Sequence, residues 1–355
     1  MGEHKVYRAI GLMSGTSLDG VIDVALIETD GYGYVKPLRY YAHPYDIAVR
    51  DKVRACFGKT TRDVQIDDVE KLVTDIHIEA VKSMGEDADI IGFHGQTITH
   101  NPDEGFTWQL GNGEALAKAT GMDVVCDMRQ ADIKAGGQGA PLLPLYHQAL
   151  LFTYEKPVAI LNLGGVANIT YIGVGGNLIA FDCGPANALM DDFIRARRGL
   201  DYDTGGCIAS LGSPLDNVVQ IFLSDEYFAK KPPKSLDRDH WSTECVRYAS
   251  TADGMATLLE MSVCGVERAM DYLPQKPARI YVAGGGRHNE FMLAMLAKNL
   301  DIPVENIDVL GWDGDAIEAQ GFAYLGVRSL LGLPLTLPET TGAPQDMIGG
   351  VLCAA

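Results

Sequence analysis

The 355-residue chain is predicted to be an α/β protein built from two duplicated domains, on three observations. Short β-rich runs alternate along its whole length with segments whose apolar residues recur at helical spacing, the grammar of layered α/β folds. Its 40 glycines cluster at the ends of apolar runs rather than scattering through polar filler, which marks tight turns at strand ends. A strand–glycine turn–strand unit occurs twice, first around residues 6–28 and again around 158–182.

In the first unit residues 6–12 and 21–28 are β-rich, and Met13 to Gly20 form the turn between them. A helix is predicted over 64–84, where Val69, Leu72, Val73, Ile76 and Ala80 share a face. The segment GFHGQT follows a strand as a polar loop, and MDVVCD reads as a strand that leads into the Gly-rich loop AGGQGAP. A domain boundary is therefore expected near 128–140, giving domains 1–130 and 131–330 and a tail 331–355 packed back on the first domain. The second unit reads as strand VAILNL, turn GGVAN, strand ITYIG, a Gly-rich turn and strand LIAFD. Beyond it come a helix over 251–272, the short strand RIYVA at 279–283, and helices over 289–299 and 316–331.

Hydrophobic residues make up 47% and charged residues 21%, enough apolar material for a large core and too much for a disordered chain. With 29 basic and 47 acidic residues the net charge is −18, which argues against nucleic-acid and membrane-surface partners. It leaves room for an anionic small ligand, because Gly-rich loops present backbone N–H groups. Seven cysteines without a CxxC pair read as reduced thiols rather than a disulfide framework or zinc site. The N-terminus shows neither a signal-peptide apolar stretch nor a myristoylation pattern, and no apolar run is membrane-length; a cytoplasmic protein is expected.

Three apparent motifs do not hold. Gly58-Lys59-Thr60 lacks the first glycine of a P-loop, since position 53 is Val53. Ser14 sits one place late for a GxSxG elbow. His94 and His100 have no third ligand nearby in sequence.

Five segments carry the chemistry. Ser14 to Gly20, with Gly15, Thr16, Ser17 and Asp19, supplies N–H groups, hydroxyls and one carboxylate in a tight turn, suited to phosphate and its Mg²⁺. The turn at Gly164 and Gly165 is a second backbone-rich loop, and Gly284-Gly285-Gly286 opens a helix near Asn289 where an adenosine has room to lie. Asp182 ends a strand just before a helix and is well placed to take a proton, or simply to cap that helix. His94, Gln96 and Thr97 offer polar groups to a substrate, or belong to an ordinary polar loop.

Together these segments resemble those of the actin/hexokinase-like ATPase superfamily, and the detailed strings resemble one branch, the anhydro-N-acetylmuramic acid kinases. The strings are GLMSGTSLDGVID, GFHGQT, ADIKAGGQGAPL, LNLGGVANIT, FDCGPAN, PPKS, GGGRHN and EAQGFAYL, in that order, from about residue 8 to about 330. The resemblance implies two duplicated RNase H-like domains around a central ATP cleft, a homodimer, and a place in peptidoglycan recycling. It implies a reaction of ATP, water and 1,6-anhydro-N-acetylmuramic acid that yields N-acetylmuramic acid 6-phosphate and ADP. Asp182 looks like the base that activates water. Gly15, Thr16, Ser17, Asp19, Gly164, Gly165, Gly284, Gly285 and Asn289 would serve ATP, with Asp19 toward Mg²⁺. His94, Gln96, Thr97, Asp127, Arg129, Asn168, Asn187 and Glu318 would serve the sugar, Arg129 by bidentate pairing with its carboxylate.

The chain departs from the family pattern at Cys183, where Thr is usual, at Ala186, where Gly is usual, and in LDRDHW after PPKS. Two rivals are another sugar or carboxylate kinase of the superfamily, and a non-catalytic actin-like nucleotide-binding protein. The HGQT and GGQGAPL strings argue against the first and the retained Asp182 against the second.

Overall fold

The structure, a computed structural model, describes residues 4–16, 18 and 20–355. They form two compact units, the first made of 1–153 and 316–355 and the second of 154–315.

In the first unit the strands are β1 (Tyr7–Ser14), β2 (Val21–Thr29), β3 (Val35–Pro44), β4 (Ile90–Asn101), β5 (Phe106–Leu110), β6 (Val124–Cys126) and, from the C-terminal segment, β12 (Val351–Cys353). Their order is β12-β6-β4-β1-β2-β3, with β5 alongside β4. β1, β2 and β3 form an antiparallel meander, and β4 and then β6 add in parallel on the other side of β1. The second unit contains β7 (Val158–Leu163), β8 (Val166–Ile172), β9 (Leu178–Pro185), β10 (Ile280–Ala283) and β11 (Val304–Asn306) in the order β11-β10-β7-β8-β9. Here too a meander, β7-β8-β9, is extended by two parallel strands next to its first member. The repeated order and strand sense make the two units RNase H-like duplicates.

Parallel neighbours need a crossover, and helices supply it. Val64–Met84 links β3 to β4; Asp63 caps it by accepting from the Ile66 N–H, and Gly85 ends it in the left-handed region at φ 67°. Ile76, Ala80 and Val81 of this helix pack on Ile10, Leu12, Val24 and Phe93. In the second unit Leu258, Leu259 and Val266 of helix Thr251–Met270 share a core with Leu161, Ile169 and Phe181.

The expected boundaries move. Residues 131–153 fold with the first unit, and so does helix Ile317–Leu330, which the sequence pattern places in the second domain. The reason is a glycine-lined track. A Cβ on Gly11 would lie 1.8 Å from Ala319 O, and one on Gly92 would lie 1.9 Å from Phe322 O. Only glycine lets the helix backbone lie this close to β1 and β4. GFHGQT is likewise not a loop after a strand but the middle of β4, and the predicted turn GGVAN contracts to Gly164-Gly165, because β8 already begins at Val166. β3 escapes the sequence reading because it is mostly exposed and carries no alternating apolar pattern.

Candidate functional site

In the second unit the candidate residues gather at the carboxyl ends of β7 and β10, where ligands of open α/β sheets bind. Asn162 on β7 pairs in register with Asn168 on β8, and Asn168 pairs with Asp182 on β9. These three polar residues, all half-buried, form one row across three strands. Gly284 follows β10 with φ 75°, and a Cβ there would lie 2.3 Å from Asn162 Oδ1. Asp182 Oδ2 accepts from Leu236 N at 2.7 Å, the Asp182 amide donates to Lys234 O at 3.0 Å, and the Tyr227 hydroxyl donates to Asp182 O at 2.6 Å. The carboxylate is therefore fixed from outside its own strand and does not cap the helix that follows, whose N-cap Ala186 has no side-chain bond.

The Gly164-Gly165 turn is fastened to that helix. Gly164 O accepts from the Asn187 amide, and Gly165 O from those of Ala186 and Ala188. Asn187 donates through Nδ2 to Leu163 O at 2.8 Å and lies close to Gly286. It thus joins the two glycine turns expected to serve ATP. Asn289 is buried and accepts from Met292 N at 3.0 Å, so its side chain caps helix Glu290–Leu300. Arg287, 3% exposed, ties the Gly284 turn to the neighbouring loop by donating to Gly284 O and to Asp315.

Cys183 points into the core, away from the Asp182 side of β9. Burial, aided by the Asp182 charge, pushes its thiol well above the ordinary range, which leaves no thiolate for nucleophilic attack. The Thr-to-Cys departure therefore lies on the face of β9 away from the candidate carboxylate. The unusual LDRDHW segment has its own anchors. Trp241 stacks on Phe228 at 5.7 Å and donates to Asp225 Oδ2 at 3.1 Å.

In the first unit Ser14 and Gln96 are register partners on β1 and β4, and Gln96 Nε2 reaches Gly15 O at 3.4 Å. Gly15 is half-buried and Thr16 exposed; Ser17 and Asp19 lie outside the described residues. His94 is 5% exposed, its Nδ1 against Gly95 O at 2.8 Å and its Nε2 accepting from Arg129 Nε at 3.0 Å. Burial first, and the adjacent Arg129 second, hold His94 well below the usual imidazole range, so it is neutral with its proton on Nδ1. Arg129 also donates to Gly139 O at 2.7 Å. Two of its nitrogens are thus engaged within the protein, and a bidentate hold on a carboxylate through the Nε edge requires release of His94. Thr97 Oγ1 accepts from Gln109 Nε2 at 3.2 Å. Asp127 is exposed at the end of β6 and takes a left-handed φ of 54°, a costly conformation for a non-glycine residue. Glu318 stands one helical turn before Phe322, whose ring lies 4.5 Å from that of His94.

Four contributors were missed from sequence: Asn162, Asp132, Tyr227 and Lys234. Asp132, 1% exposed, accepts from Gly139 N and from the hydroxyls of Thr341 and Thr336, clasping the GGQG loop to the C-terminal segment. Its signal was present in ADIKAGGQGAPL as a carboxylate beside a Gly-rich loop. Lys234 sat in PPKS, between two prolines and Ser235, without a role.

Among the described residues no three His, Cys, Asp or Glu side chains converge on a metal position. No helix among them is long and apolar enough to cross a membrane. The family model for anhydro-N-acetylmuramic acid kinase matches residues 7–355. The chain belongs to that family. It is 48% identical to the anhydro-N-acetylmuramic acid kinase of Rhizorhabdus wittichii, over 97% of this chain and 98% of that one. It is 49% identical to the enzyme of the same name from Zymomonas mobilis, over 96% and 98%. Among solved structures, the activator of the 2-hydroxyisocaproyl-CoA dehydratase from Clostridium difficile with bound ADPNP overlays with a TM-score of 0.46 at 11% identity, covering 90% of this chain and 94% of that one. So distant an overlay adds nothing to the strand order and register already described for this anhydro-N-acetylmuramic acid kinase family member.

Proposed function

We propose that the protein is an ATP-dependent kinase that opens 1,6-anhydro-N-acetylmuramic acid with water and phosphorylates the C6 oxygen. Water adds to C1, the C1–O6 bond breaks, and O6 takes the γ-phosphoryl group, so that N-acetylmuramic acid 6-phosphate and ADP leave. Asp182 receives the proton that water loses. The observation that carries this reading is the fixed carboxylate of Asp182, in register with Asn168 and Asn162, in a chain of this family.

Phosphoryl transfer needs positioning and charge neutralisation more than covalent help. Gly15, Thr16 and Ser17 in one unit and Gly164 and Gly165 in the other are the proposed phosphate loops, with Gly284 and Gly285 against the adenosine. Asn289 acts there indirectly, by capping the helix after the glycine turn. A divalent ion such as Mg²⁺ neutralises phosphate charge when ATP is bound. A single carboxylate at Asp19 suits an ion brought in on the nucleotide, because Mg²⁺ takes one or two protein carboxylates and keeps its other positions for phosphate and water. His94, Gln96, Thr97, Asp127, Arg129, Asn168, Asn187 and Glu318 are the proposed sugar contacts. Neutral His94 accepts from Arg129 and so orients a cation toward a sugar carboxylate. The seven free cysteines suit a cytoplasmic enzyme; a homodimer is proposed on family grounds alone.

Incubation with ATP and the anhydro sugar, followed by mass analysis, tests the reading. A product heavier than the substrate by one water and one phosphoryl group supports it. ATP consumption without sugar modification, or a phosphorylated anhydro ring, rejects it.

A further inference from the structure

β9 is the edge strand of its sheet, so the outward N–H of Asp182 has no strand partner. Residues 232–236 cover that edge as a strap. Lys234 O accepts from the Asp182 amide and Leu236 N donates to the Asp182 carboxylate, so two residues of the strap set both the backbone and the side chain of Asp182. The strap is itself pinned by Lys234, only 7% exposed. Its Nζ lies 4.4 Å from the Tyr227 ring centroid, 4.7 Å from that of Tyr272 and 6.0 Å from that of Phe181, and donates to Tyr227 O at 3.1 Å. Tyr227 closes the loop by donating its hydroxyl to Asp182 O.

A buried ammonium with three donors and one carbonyl acceptor is an expensive anchor. A leucine or methionine would fill a three-ring pocket without the desolvation cost, so packing alone does not account for the charge. The rings offer their faces to the cation, which offsets part of that cost. We propose that Lys234 is a positioning residue of the reaction: its caged ammonium holds the strap that aims the Asp182 carboxylate, and supplies a positive charge behind it. This rests on the reading of Asp182 as the base.

Cys183, Tyr227 and Lys234 each interact electrostatically with Asp182. Burial keeps the thiol and the phenol protonated and neutral; it also lowers the Lys234 pKa, while the Asp182 charge and the three ring faces favour the ammonium. Loss of a nearby cation raises a carboxylate pKa.

Lys234→Met, Asp182→Asn and wild type are to be compared for kcat, both KM values and the acid limb of kcat/KM against pH. In Lys234→Met, kcat falls about ten- to a hundredfold, the scale of a misplaced catalytic group, both KM values hold, and the acid limb moves to higher pH. Wild-type kcat, or a lower kcat with the acid limb unmoved, overturns the inference, because a merely structural anchor lowers the active fraction without shifting the limb. Should Lys234→Met not fold, Lys234→Gln keeps a donor for the Tyr227 carbonyl and carries the same readouts. Asp182→Asn separates the two layers. If it stays active, the base is elsewhere; if it is inactive while the Lys234 variants match wild type, only the role of Lys234 fails.

Discussion

Replacing Asp182 by Asn removes the proposed base while keeping nearly the same shape. The Asn side-chain oxygen still accepts from Leu236 N, and the backbone bonds from Tyr227 and to Lys234 are untouched. The fold should therefore lose only the difference between a charge-assisted and a neutral hydrogen bond, about 1 kcal/mol. Turnover should fall far more. A positioned base contributes about 10²–10⁴-fold, which is about 3–5 kcal/mol of barrier. Calorimetric titration should show ATP and the anhydro sugar bound with affinities near wild type, while ADP release monitored by a coupled assay falls by those orders of magnitude. Activity above about a tenth of wild type, well outside that range, would refute the assignment and turn attention to Asp127 and Asp19. Loss of sugar binding would instead show that Asp182 acts as a ligand.

Two further predictions concern the first unit. His77 and His147 are fully buried, and burial lowers their pKa from the ordinary 6.5 to about 4 and about 3. The unfolded chain binds protons that the folded one refuses, so stability is full above about pH 6.5 and is lost as pH falls toward 4; a thermal-melting midpoint flat across that window would contradict the neutral assignment. Gly92→Ala places a Cβ 1.9 Å from Phe322 O and 2.6 Å from its carbonyl carbon. The helix must retreat, at a cost of about 1–3 kcal/mol or more, visible as a lower urea midpoint; an unchanged midpoint would contradict the packing described.

Elements were legible in sequence where local chemistry and tertiary packing agree. Helix Val64–Met84 has an Asp cap, a Gly stop and one apolar face, and its limits coincide with those read from the pattern. The string around Gly284 likewise marked a turn at a strand end, whereas Asp182, expected to end its strand, lies inside β9, which runs on to Pro185. What sequence could not show was which sheet an element joins. Helix Ile317–Leu330 follows the second unit in the chain, yet Gly11 and Gly92, hundreds of residues away, fit its backbone. The intramolecular bonds of Asn289 and Arg129 were hidden for a related reason. A polar side chain near a Gly-rich motif reads as a ligand contact, and sequence does not show that it also has intramolecular partners, Met292 N for one and His94 for the other. Lys234 carries no local pattern at all, because its cage is assembled from Phe181, Tyr227 and Tyr272, far apart in sequence.

The central claim is that water opens the anhydro ring and the freed ether oxygen takes the phosphoryl group in one coupled reaction. Turnover in ¹⁸O-labelled water measures this directly. One label is expected at C1 of the N-acetylmuramic acid 6-phosphate and none in the bridging C6–O–P oxygen, with phosphorylation of N-acetylmuramic acid, which already has a free C6 hydroxyl, far slower. Label in the bridge, or equal turnover of the two sugars, would contradict it and leave a conventional hydroxyl kinase.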